Sequence, residues 1–596
     1  MAKRWSILSH DSARIAALMR DAELPAIVAE LLIARGIHDH RTAADFLDPR
    51  LTSVRDPLEL PGMEAAVERV NAAIEAKEPI VIYGDYDADG MTGTATLVRG
   101  LKLLGANVSF FVPNRLDEGY GLNNDALERL AANGAKLVIS VDCGIASVAE
   151  SHKAREFGLS LIITDHHKLA EELPVADAIV HPGLPDTNYP FKGLSGSGVA
   201  FKLAWALCQR VAGAKRVSPQ MRGYLLQAAG LASIGTVADV VPLIDENRAI
   251  VRHGLLSLQE RPTVGMQHLL RLTDLHRKPE LASEDIAFSL APRLNAAGRL
   301  GQAELAVELL LTDNAERAKD LAKFLDELNG QRDSLQRSVY LAANKQIKER
   351  FDAENDSALV LAGRGWHAGV IGIVAGRLSD KYHRPVLLIS LDELDVKPGT
   401  ASARSIEGLD LHAALTACEE HLITHGGHAA AAGFKIEPSK IDAFREAFCR
   451  HAAAQLSQKQ LTAELHIDGE CPLPALTMKT VNQIERLAPF GEGNRRPLLC
   501  TTGVSLREPP KQLGSSGRHL ALALTQEGVD LRGVAFGGGE WEQDLAATQG
   551  TISIAYRPVI NTFRGRRNVE LHLVDWRSDE ENETPIATHA SADAIG

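Results

Sequence analysis

Between residues 80 and 240, short apolar runs alternate with longer helical segments, and this alternation constrains the possible folds more than any other feature of the chain. Each run is rich in β-branched residues and too short for a helix, so it is a predicted strand. Strands that alternate with helices indicate a parallel sheet with right-handed crossovers. The predicted strands cover residues 80–83, 108–112, 137–141, 159–164 and 178–180.

The first predicted strand runs directly into three aspartates at every second position, Asp85, Asp87 and Asp89. Gly84 and Gly90 flank them and permit a tight turn that brings the carboxylates together. An apolar stretch that follows predicts a helix. The aspartates therefore lie at a strand-to-helix turn, where open α/β sheets place their active sites, and carboxylates this dense require a cation.

Two other interpretations of this acidic turn stay open. An EF-hand-like calcium loop also starts with alternating carboxylates, but it needs an acidic ligand at its twelfth position. That position is Thr96 when counted from Asp85 and Val98 when counted from Asp87, so calcium is disfavoured. The second alternative is a solvated turn that happens to be acidic, and the motifs farther along the chain argue against it.

Two more predicted strands end in polar side chains. Asp142 follows the third strand, and Asp165, His166 and His167 follow the fourth. A further acidic position occurs at Asp239. Because the carboxyl ends of parallel strands meet at one edge of a sheet, we expect these side chains to come together. A mixed set of oxygen and nitrogen ligands suits manganese or magnesium.

The composition excludes several classes of protein. A chain of 596 residues has room for several domains, and no run approaches the 18 apolar residues of a transmembrane helix. The first residues are not followed by the apolar core of a signal peptide, so no secretory signal is predicted.

The six cysteines include no CxxC pair, which favours reduced thiols in a cytoplasm. The net charge of −13 argues against indiscriminate coating of nucleic acid, so phosphate contacts must come from local basic patches.

The segments outside the first α/β region have patterns of their own. Residues 313–350 start with capping-box spacing, lack proline and repeat leucines at three- and four-residue steps, which predicts one helix of roughly 55 Å that joins two domains. Short strands with glycine-rich turns near the end predict a small β-barrel. The predicted parts are an N-terminal helical cap (1–75), an α/β domain (76–242), a helical connector (243–357), a second α/β domain (358–452), the barrel (456–577) and a disordered tail (578–596).

Four motifs carry a resemblance to a known family, and they occur in the order GDYDADG (84–90), VDCG (141–144), DHH (165–167) and GTVADVVPL (235–243). The chain resembles the DHH phosphoesterase superfamily and, within it, the RecJ family of single-strand-specific exonucleases along almost its whole length. This resemblance implies an α/β fold. A parallel-sheet DHH phosphoesterase domain is joined by the long helix to a DHH-associated α/β domain, and a C-terminal OB-fold barrel follows.

The resemblance also implies roles for the acidic and histidine residues. It identifies a site for two Mn²⁺ or Mg²⁺ ions, with Asp142 as the candidate bridge between them. Asp85 is a further ligand or a base that orients water, Asp165 positions the imidazoles, and His167 faces the scissile phosphate, unless it is a structural histidine. The implied metal ligands are Asp87, Asp89, Asp142, His166 and Asp239.

Three basic segments are candidate phosphate contacts, each with a structural alternative. The glycine-punctuated run 291–301 is either a helix junction or a phosphate contact. Residues 402–405 and 426–433 either pack a helix on a strand or bind substrate. The hairpin 556–568 is either a solvated turn or a surface that binds a nucleic-acid strand. The resemblance favours binding in all three. The candidate residues are Arg293, Asn295 and Arg299, then Arg404, Ser405 and His428, then Arg557, Arg564 and Arg566.

The function expected from the resemblance is a single-stranded-DNA-specific 5′-to-3′ exonuclease that releases 5′-mononucleotides in recombination and repair. We expect a cytoplasmic monomer, with a single-strand-binding protein and a RecQ-type helicase as partners. One alternative is a phosphodiesterase for short oligonucleotides or cyclic dinucleotides, against which the barrel argues. The other is a catalytically silent replication scaffold, against which the intact carboxylates argue because they repel one another.

Overall fold

The chain starts with a strand, where the sequence predicts a helical cap from residue 5. In the computed structural model, β1 (Arg4–Ser9) pairs in parallel with a strand near residue 465, and Trp5 is buried with its indole N–H donating to Asp575 at 2.8 Å. This long-range pairing overrides the helical pattern. The described residues are 3–115, 118–350, 352, 356–394, 396–514, 517–563, 565–579 and 587–590. The helices that follow β1 are α1 (Ser12–Ala22), α2 (Ala26–Ile33) and α3 (His40–Leu47).

The chain divides into two compact units. The barrel unit contains residues 1–54, 242–252 and 464–596, and the sheet unit contains residues 55–241 and 253–463. None of the described helices is long and apolar enough to cross a membrane.

The sheet unit is built on the predicted parallel sheet. Its five strands have the order β3-β2-β4-β5-β6, and all four pairings are parallel. The central strands are buried along their whole length, which explains their continuous apolar sequence. The strands are β2 (Ile80–Gly84), β3 (Val108–Phe111), β4 (Leu137–Val141), β5 (Ser160–Thr164) and β6 (Ala178–Val180). The helices are α4 (Met63–Glu75), α5 (Ala88–Leu103), α6 (Asn124–Ala132), α7 (Val148–Glu156), α8 (Gly196–Ala212) and α9 (Pro219–Ala238).

The connector is helical and ends in the predicted long helix. Its elements are α10 (Asp245–Glu260), α11 (Val264–Leu272), the short α12 (Ser283–Asp285), a π-helical turn (Ile286–Leu290), α13 (Ala291–Arg299), α14 (Ala303–Leu311) and α15 (Ala315–Arg350). The 36 residues of α15 span about 54 Å at 1.5 Å per residue.

A second α/β domain follows α15 in the same unit. Its mixed sheet has the order β10-β11-β9-β8-β7, and only the pair β7–β8 is parallel. The sequence predicts β7 and β8, whereas the small-residue runs that form β9 to β11 lack a strand pattern. The elements are β7 (Leu359–Arg364), α16 (Ala368–Tyr382), β8 (Val386–Leu391), β9 (Gly399–Arg404), α17 (Leu411–Thr416), β10 (Leu422–Gly427), β11 (Ala431–Ile436) and α18 (Ile441–Gln455).

The barrel unit holds a closed five-stranded barrel of order β14-β15-β16-β18-β17, with β14 also paired to β17. The sequence analysis predicted residues 464–467 as a barrel strand, but this strand pairs with β1 instead. The barrel strand that the sequence analysis did not predict is Leu499–Leu513. The elements are β12 (Glu464–Ile467), β13 (Gly469–Glu470), α19 (Met478–Glu485), β14 (Leu499–Leu513), β15 (His519–Gln526), β16 (Val529–Ala535), α20 (Glu542–Ala547), β17 (Ile552–Phe563), β18 (Arg566–Ser578) and β19 (Ala587–Ala590).

The N-terminal helices α1 to α3 belong to the barrel unit. Leu31 and Leu32 of α2 are fully buried in the same apolar cluster as Leu522 and Leu571 of the barrel strands. The predicted N-terminal helical cap (1–75) is therefore not a single part of the fold. The helices α1 to α3 belong to the barrel unit, and only α4 belongs to the sheet unit. Within the predicted tail, β19 pairs with β1, and the rest of that segment beyond residue 579 lies outside the described residues.

Candidate metal centre and strand-binding surfaces

The acidic turn after β2 is fixed by its own backbone. Asp87 is the N-cap of α5, and its carboxylate accepts hydrogen bonds from the N–H groups of Asp89 at 2.9 Å and Gly90 at 3.1 Å. A Cβ on Gly90 would lie 2.6 Å from the carbonyl oxygen of Asp85, so only glycine fits there. The turn thus places three carboxylates within one helical turn of each other.

Asp89 is anchored by a second helix. Its two carboxylate oxygens accept from the N–H groups of Gly196 at 2.6 Å and Ser197 at 3.0 Å, which begin α8. Asp89 is buried, and the positive end of α8 compensates its charge. The sequence analysis did not identify this role for the 195–198 segment, although the small residues there are those that allow a close backbone approach.

Asp142 leaves β4 in the left-handed conformation, with φ of 63°. Its carboxylate is buried, and the Oδ1 atom has no hydrogen-bond partner among the described residues. A Cβ on Gly196 would lie 2.5 Å from that Oδ1 atom. The backbone therefore directs an unpaired carboxylate oxygen into the site.

His166 lies among the carboxylates. Its Nε2 atom is 3.1 Å from Oδ1 of Asp142, 3.3 Å from Oδ2 of Asp239 and 3.9 Å from Oδ2 of Asp89. That Nε2 atom is buried and has no hydrogen-bond partner among the described residues. Asp239 is the C-cap of α9, so a helix rather than a strand delivers it.

Among the described residues, side-chain donor atoms come within 4.8 Å of one another in three groups, and two of these groups share Asp142. All five predicted metal ligands belong to these groups, together with Asp85 and His167. The groups are Asp85-Asp87-Asp142, Asp89-His166-Asp239 and Asp142-His166-His167. The donors fit a divalent cation because buried carboxylate and imidazole atoms without hydrogen-bond partners converge there.

Burial and mutual repulsion dominate the electrostatics of this cluster. Burial, followed by repulsion from Asp89, raises the pKa of Asp239 to about 8. The same two causes raise the pKa of Asp142 well above its ordinary value, and burial with repulsion from Asp87 does so for Asp85. Burial lowers the pKa of His166. A cation would relieve the cost of these charges.

His167 is held by Asp165, as predicted. Its Nδ1 atom lies 2.7 Å from Oδ1 of Asp165, whose other oxygen accepts from the N–H of Ile145 at 2.9 Å. Burial alone would lower the pKa of His167, but the bond to Asp165 outweighs it and raises this pKa to about 9. The hydroxyl of Tyr120 lies 3.1 Å from the same Nδ1 atom. The sequence analysis did not identify Tyr120, whose one local signal is its place between two glycines.

A group of arginines lies beside the carboxylates. Burial, and then the neighbouring charges of Arg115, Arg332 and Arg404, lower the pKa of Arg299 to about 10. Arg115 stacks on the ring of Tyr86, with 4.9 Å between guanidinium carbon and ring centroid. The sequence analysis named Arg299 and Arg404 but missed Arg115 and Arg332, which lie in a loop and in a long polar helix.

The other candidates of the sheet unit have mixed surroundings. Asn295 accepts from the N–H of Ala88 at 2.8 Å and so braces the acidic turn. Arg293 is paired with Asp326 at 2.8 Å, and the hydroxyl of Ser405 donates to the carbonyl of Leu409 at 2.7 Å, so both are occupied by intramolecular contacts. His428 is exposed at the end of β10.

The barrel carries a row of exposed side chains across its strands. Arg557 of β17 is exposed and pairs with His572 of β18. Phe536, just beyond β16, is 62% exposed, and its ring lies 4.9 Å from that of His572 and 5.6 Å from that of His519. The sequence analysis selected Arg557 and Arg566, both exposed, whereas Arg564 lies outside the described residues.

Comparisons with known proteins agree with this arrangement. Three family models match the chain: "DHH family, N-terminal domain" over 79–236, "DHHA1 domain" over 355–454 and "RecJ OB domain" over 467–575. The single-stranded-DNA-specific exonuclease RecJ of Bacillus subtilis is 36% identical over 576 residues, which cover 96% of this chain and 70% of that relative. The chain belongs to the RecJ family. The RecJ of Escherichia coli is 34% identical over 92% of this chain and 95% of its own length.

Solved RecJ structures share the fold. RecJ from Thermus thermophilus in complex with Mn²⁺ superposes with a TM-score of 0.81 at 33% identity, covering 98% of this chain and 80% of that one. The same RecJ in complex with Mg²⁺ gives a TM-score of 0.75 at 32% identity, covering 96% and 78%. The predicted fold class is confirmed, and divalent cations of the predicted kind bind to a close structural relative.

Proposed function

We propose that this protein is a metal-dependent exonuclease that degrades single-stranded DNA from the 5′ end and releases 5′-mononucleotides. The observation that carries it is the convergence of unpaired carboxylate and imidazole atoms beside a group of arginines. Carboxylates that hold cations and guanidinium groups that hold phosphate are the two components that phosphodiester hydrolysis needs. Membership of the RecJ family supports the choice of DNA as the substrate.

The predicted ligands would hold two Mn²⁺ or Mg²⁺ ions. When bound, such ions lower the pKa of water and neutralise charge that develops on a phosphate. Asp142 belongs to two donor groups, which supports its role as the bridge. The remaining ligands would be Asp87, Asp89, His166 and Asp239, with Asp85 as a ligand or as the group that orients water.

The other side chains orient the substrate. His167 keeps its proton at neutral pH because Asp165 raises its pKa to about 9, so it can donate a hydrogen bond to a phosphate oxygen. Arg299 and Arg404 supply positive charge to a terminal phosphate. The row of Phe536, His519, His572 and Arg557 offers ring faces and a cation to unpaired bases and the backbone of a strand.

The cellular setting follows from the family resemblance. We propose a cytoplasmic role in recombination and repair, as a monomer that works with a single-strand-binding protein and a RecQ-type helicase.

Degradation of a long strand labelled at either end tests the proposal directly. The strand and its matching blunt duplex are incubated with manganese, magnesium or a chelator. We expect mononucleotides from the 5′ end, only with metal and only from the single strand. Cleavage confined to dinucleotides would instead identify a small-substrate phosphodiesterase, and binding without cleavage would identify a silent scaffold.

A further inference from the structure

A cavity of about 670 Å³ lies in the sheet unit where the end of α5, the first half of α9 and the end of α14 meet. Its volume falls within the range of roughly 300 to 1,000 Å³ that small-molecule sites occupy. The cavity lies at the opposite end of α5 from the acidic turn, and a 16-residue helix is about 24 Å long. It is therefore separate from the carboxylate cluster.

The cavity is lined by cationic and amide side chains together with apolar ones. Arg99, Lys102 and Arg261 contribute positive charge, and Asp313 is the one carboxylate in the lining. Arg99 is held in place by the carbonyl of Leu311 at 3.2 Å and by Asp313 at 3.5 Å. Within the described part of the chain, Lys102 and Arg261 make no ion pair. In a protein of net charge −13, such a cluster attracts a small anion.

The floor of the cavity is preformed. Tyr224 is buried, and its hydroxyl donates to the carbonyl of Thr96 at 2.7 Å. A Cβ on Gly100 would lie 2.4 Å from that hydroxyl oxygen, so α5 and α9 are in close contact here. A ligand would meet an ordered floor, and only the exposed side chains of Lys102 and Arg261 would have to become ordered on binding.

We propose that this cavity binds a phosphate-bearing small molecule, with Lys102 and Arg261 contacting the phosphate. The volume exceeds that of a phosphate ion, and apolar atoms of Leu103, Pro219 and Leu311 line the remainder. A nucleoside monophosphate matches this combination of charge and apolar surface. Free phosphate shares the recognised chemistry, and the experiment separates the two.

Protection of Lys102 from acetylation provides a readout at the site itself. The full chain is treated with an amine-reactive acetylating reagent in chelator, with dAMP or inorganic phosphate as the probe, and each lysine is quantified by mass spectrometry. We expect dAMP to slow acetylation of Lys102 at least fivefold and to leave Lys136, exposed in the same unit, unchanged. Equal protection by phosphate at the same concentration would identify free phosphate as the ligand. Absence of protection by either probe would overturn the proposal.

Two variants test whether the occupant sits inside the cavity. Gly223 of α9 lines the cavity, and a Cβ added to it would meet no atom within 4 Å. Gly223→Leu therefore fills the cavity without a change of charge, and leucine is a better helix former than glycine. Gly223→Leu should abolish the protection of Lys102, and unchanged protection would refute the site. Arg261→Glu should raise the dAMP concentration needed for half-maximal protection at least tenfold, whereas Arg155→Glu, an exposed control on α7, should not change it. Strand degradation is measured separately, so failure here leaves the proposed exonuclease function untouched.

Discussion

The edge of the parallel sheet and the outer face of the barrel use polar residues in opposite ways. At the sheet edge, carboxylates and imidazoles are buried or partly buried and held by backbone N–H groups and helix ends, and the carboxylates repel one another. On the barrel, Phe536 and Arg557 are exposed and His572 is half-buried, and the rings of Phe536 and His572 contact each other at the surface. A buried, interdependent cluster is expected to fail as a unit, whereas an exposed row loses affinity residue by residue.

The largest effect is expected from Asp142→Asn. It removes the charge of a carboxylate that belongs to two donor groups. Turnover of a labelled strand should therefore fall by about 10³-fold or more. Binding of the strand, measured by fluorescence anisotropy in chelator, should remain within about threefold. Wild-type turnover in this variant would contradict the assignment of the metal centre.

The arginines allow a matched comparison. Arg404 has no carboxylate partner among the described residues, whereas Arg293 is paired with Asp326. Arg404→Gln should lower kcat/KM by about 10- to 100-fold, since a charge-assisted contact to phosphate contributes about 1.5 to 3 kcal/mol. Arg293→Gln should have a smaller effect on catalysis. The reverse order would mean that Arg293 leaves its ion pair to bind substrate.

Glu30 tests whether a raised carboxyl pKa alone marks a metal centre. Burial, followed by the charges of Asp468 and Glu470, raises its pKa to about 7, yet no donor group of the described residues includes it. The folded state keeps the proton up to about pH 7, whereas the unfolded state loses it near 4.5. The free energy of unfolding should therefore fall as pH rises from 5 to 8.

The contribution of Glu30 to this loss of stability should be at most about 3 kcal/mol, and solvent screening of its exposed part lowers it further. Urea unfolding at pH 5 and pH 8 measures it, and Glu30→Gln should reduce the dependence without removing it, because the raised pKa of Asp239 acts in the same direction. Divalent metal should stabilise the wild type through the sheet edge only. If Glu30→Gln abolished the stabilisation by metal, the distinction between the two kinds of buried carboxylate would be wrong.

The smallest effect is expected on the barrel. Phe536→Leu keeps apolar volume but removes the ring face, so affinity for a long single strand should fall by about 5- to 50-fold, and Phe536→Trp should restore it. Cleavage of a very short oligonucleotide should change little. Equal losses for the leucine and tryptophan variants would show that the ring does not stack on bases.

The sequence predicted the sheet and its acidic edge well because both depend on local patterns. The strand 137–141 is buried along its whole length, which fits its continuous apolar run. The motifs behind β2, β4 and β5 predicted the aspartates and histidines that come together at this edge. Asp239 was found by motif, although a helix end rather than a strand delivers it.

The structural features that the sequence analysis did not predict depend on contacts between distant segments. The strand Arg4–Ser9 forms because β12 and β19 are available to pair with it, and no local pattern encodes those partners. The helices before residue 48 join the barrel through buried leucines, which look the same whatever surface they cover. Arg115, Tyr120 and Phe536 come from segments whose sequences are ordinary loops or strand ends.

The left-handed backbone at Asp142 has a consequence for how such a protein can change over time. Asparagine tolerates this conformation nearly as well as aspartate does, and it carries no charge into a crowded, buried site. Without metal, Asp142→Asn should therefore raise the melting temperature while it ends catalysis. A chain with this substitution would stay folded but would be inactive. The charge of Asp142 therefore serves the chemistry at a cost to the stability of the fold.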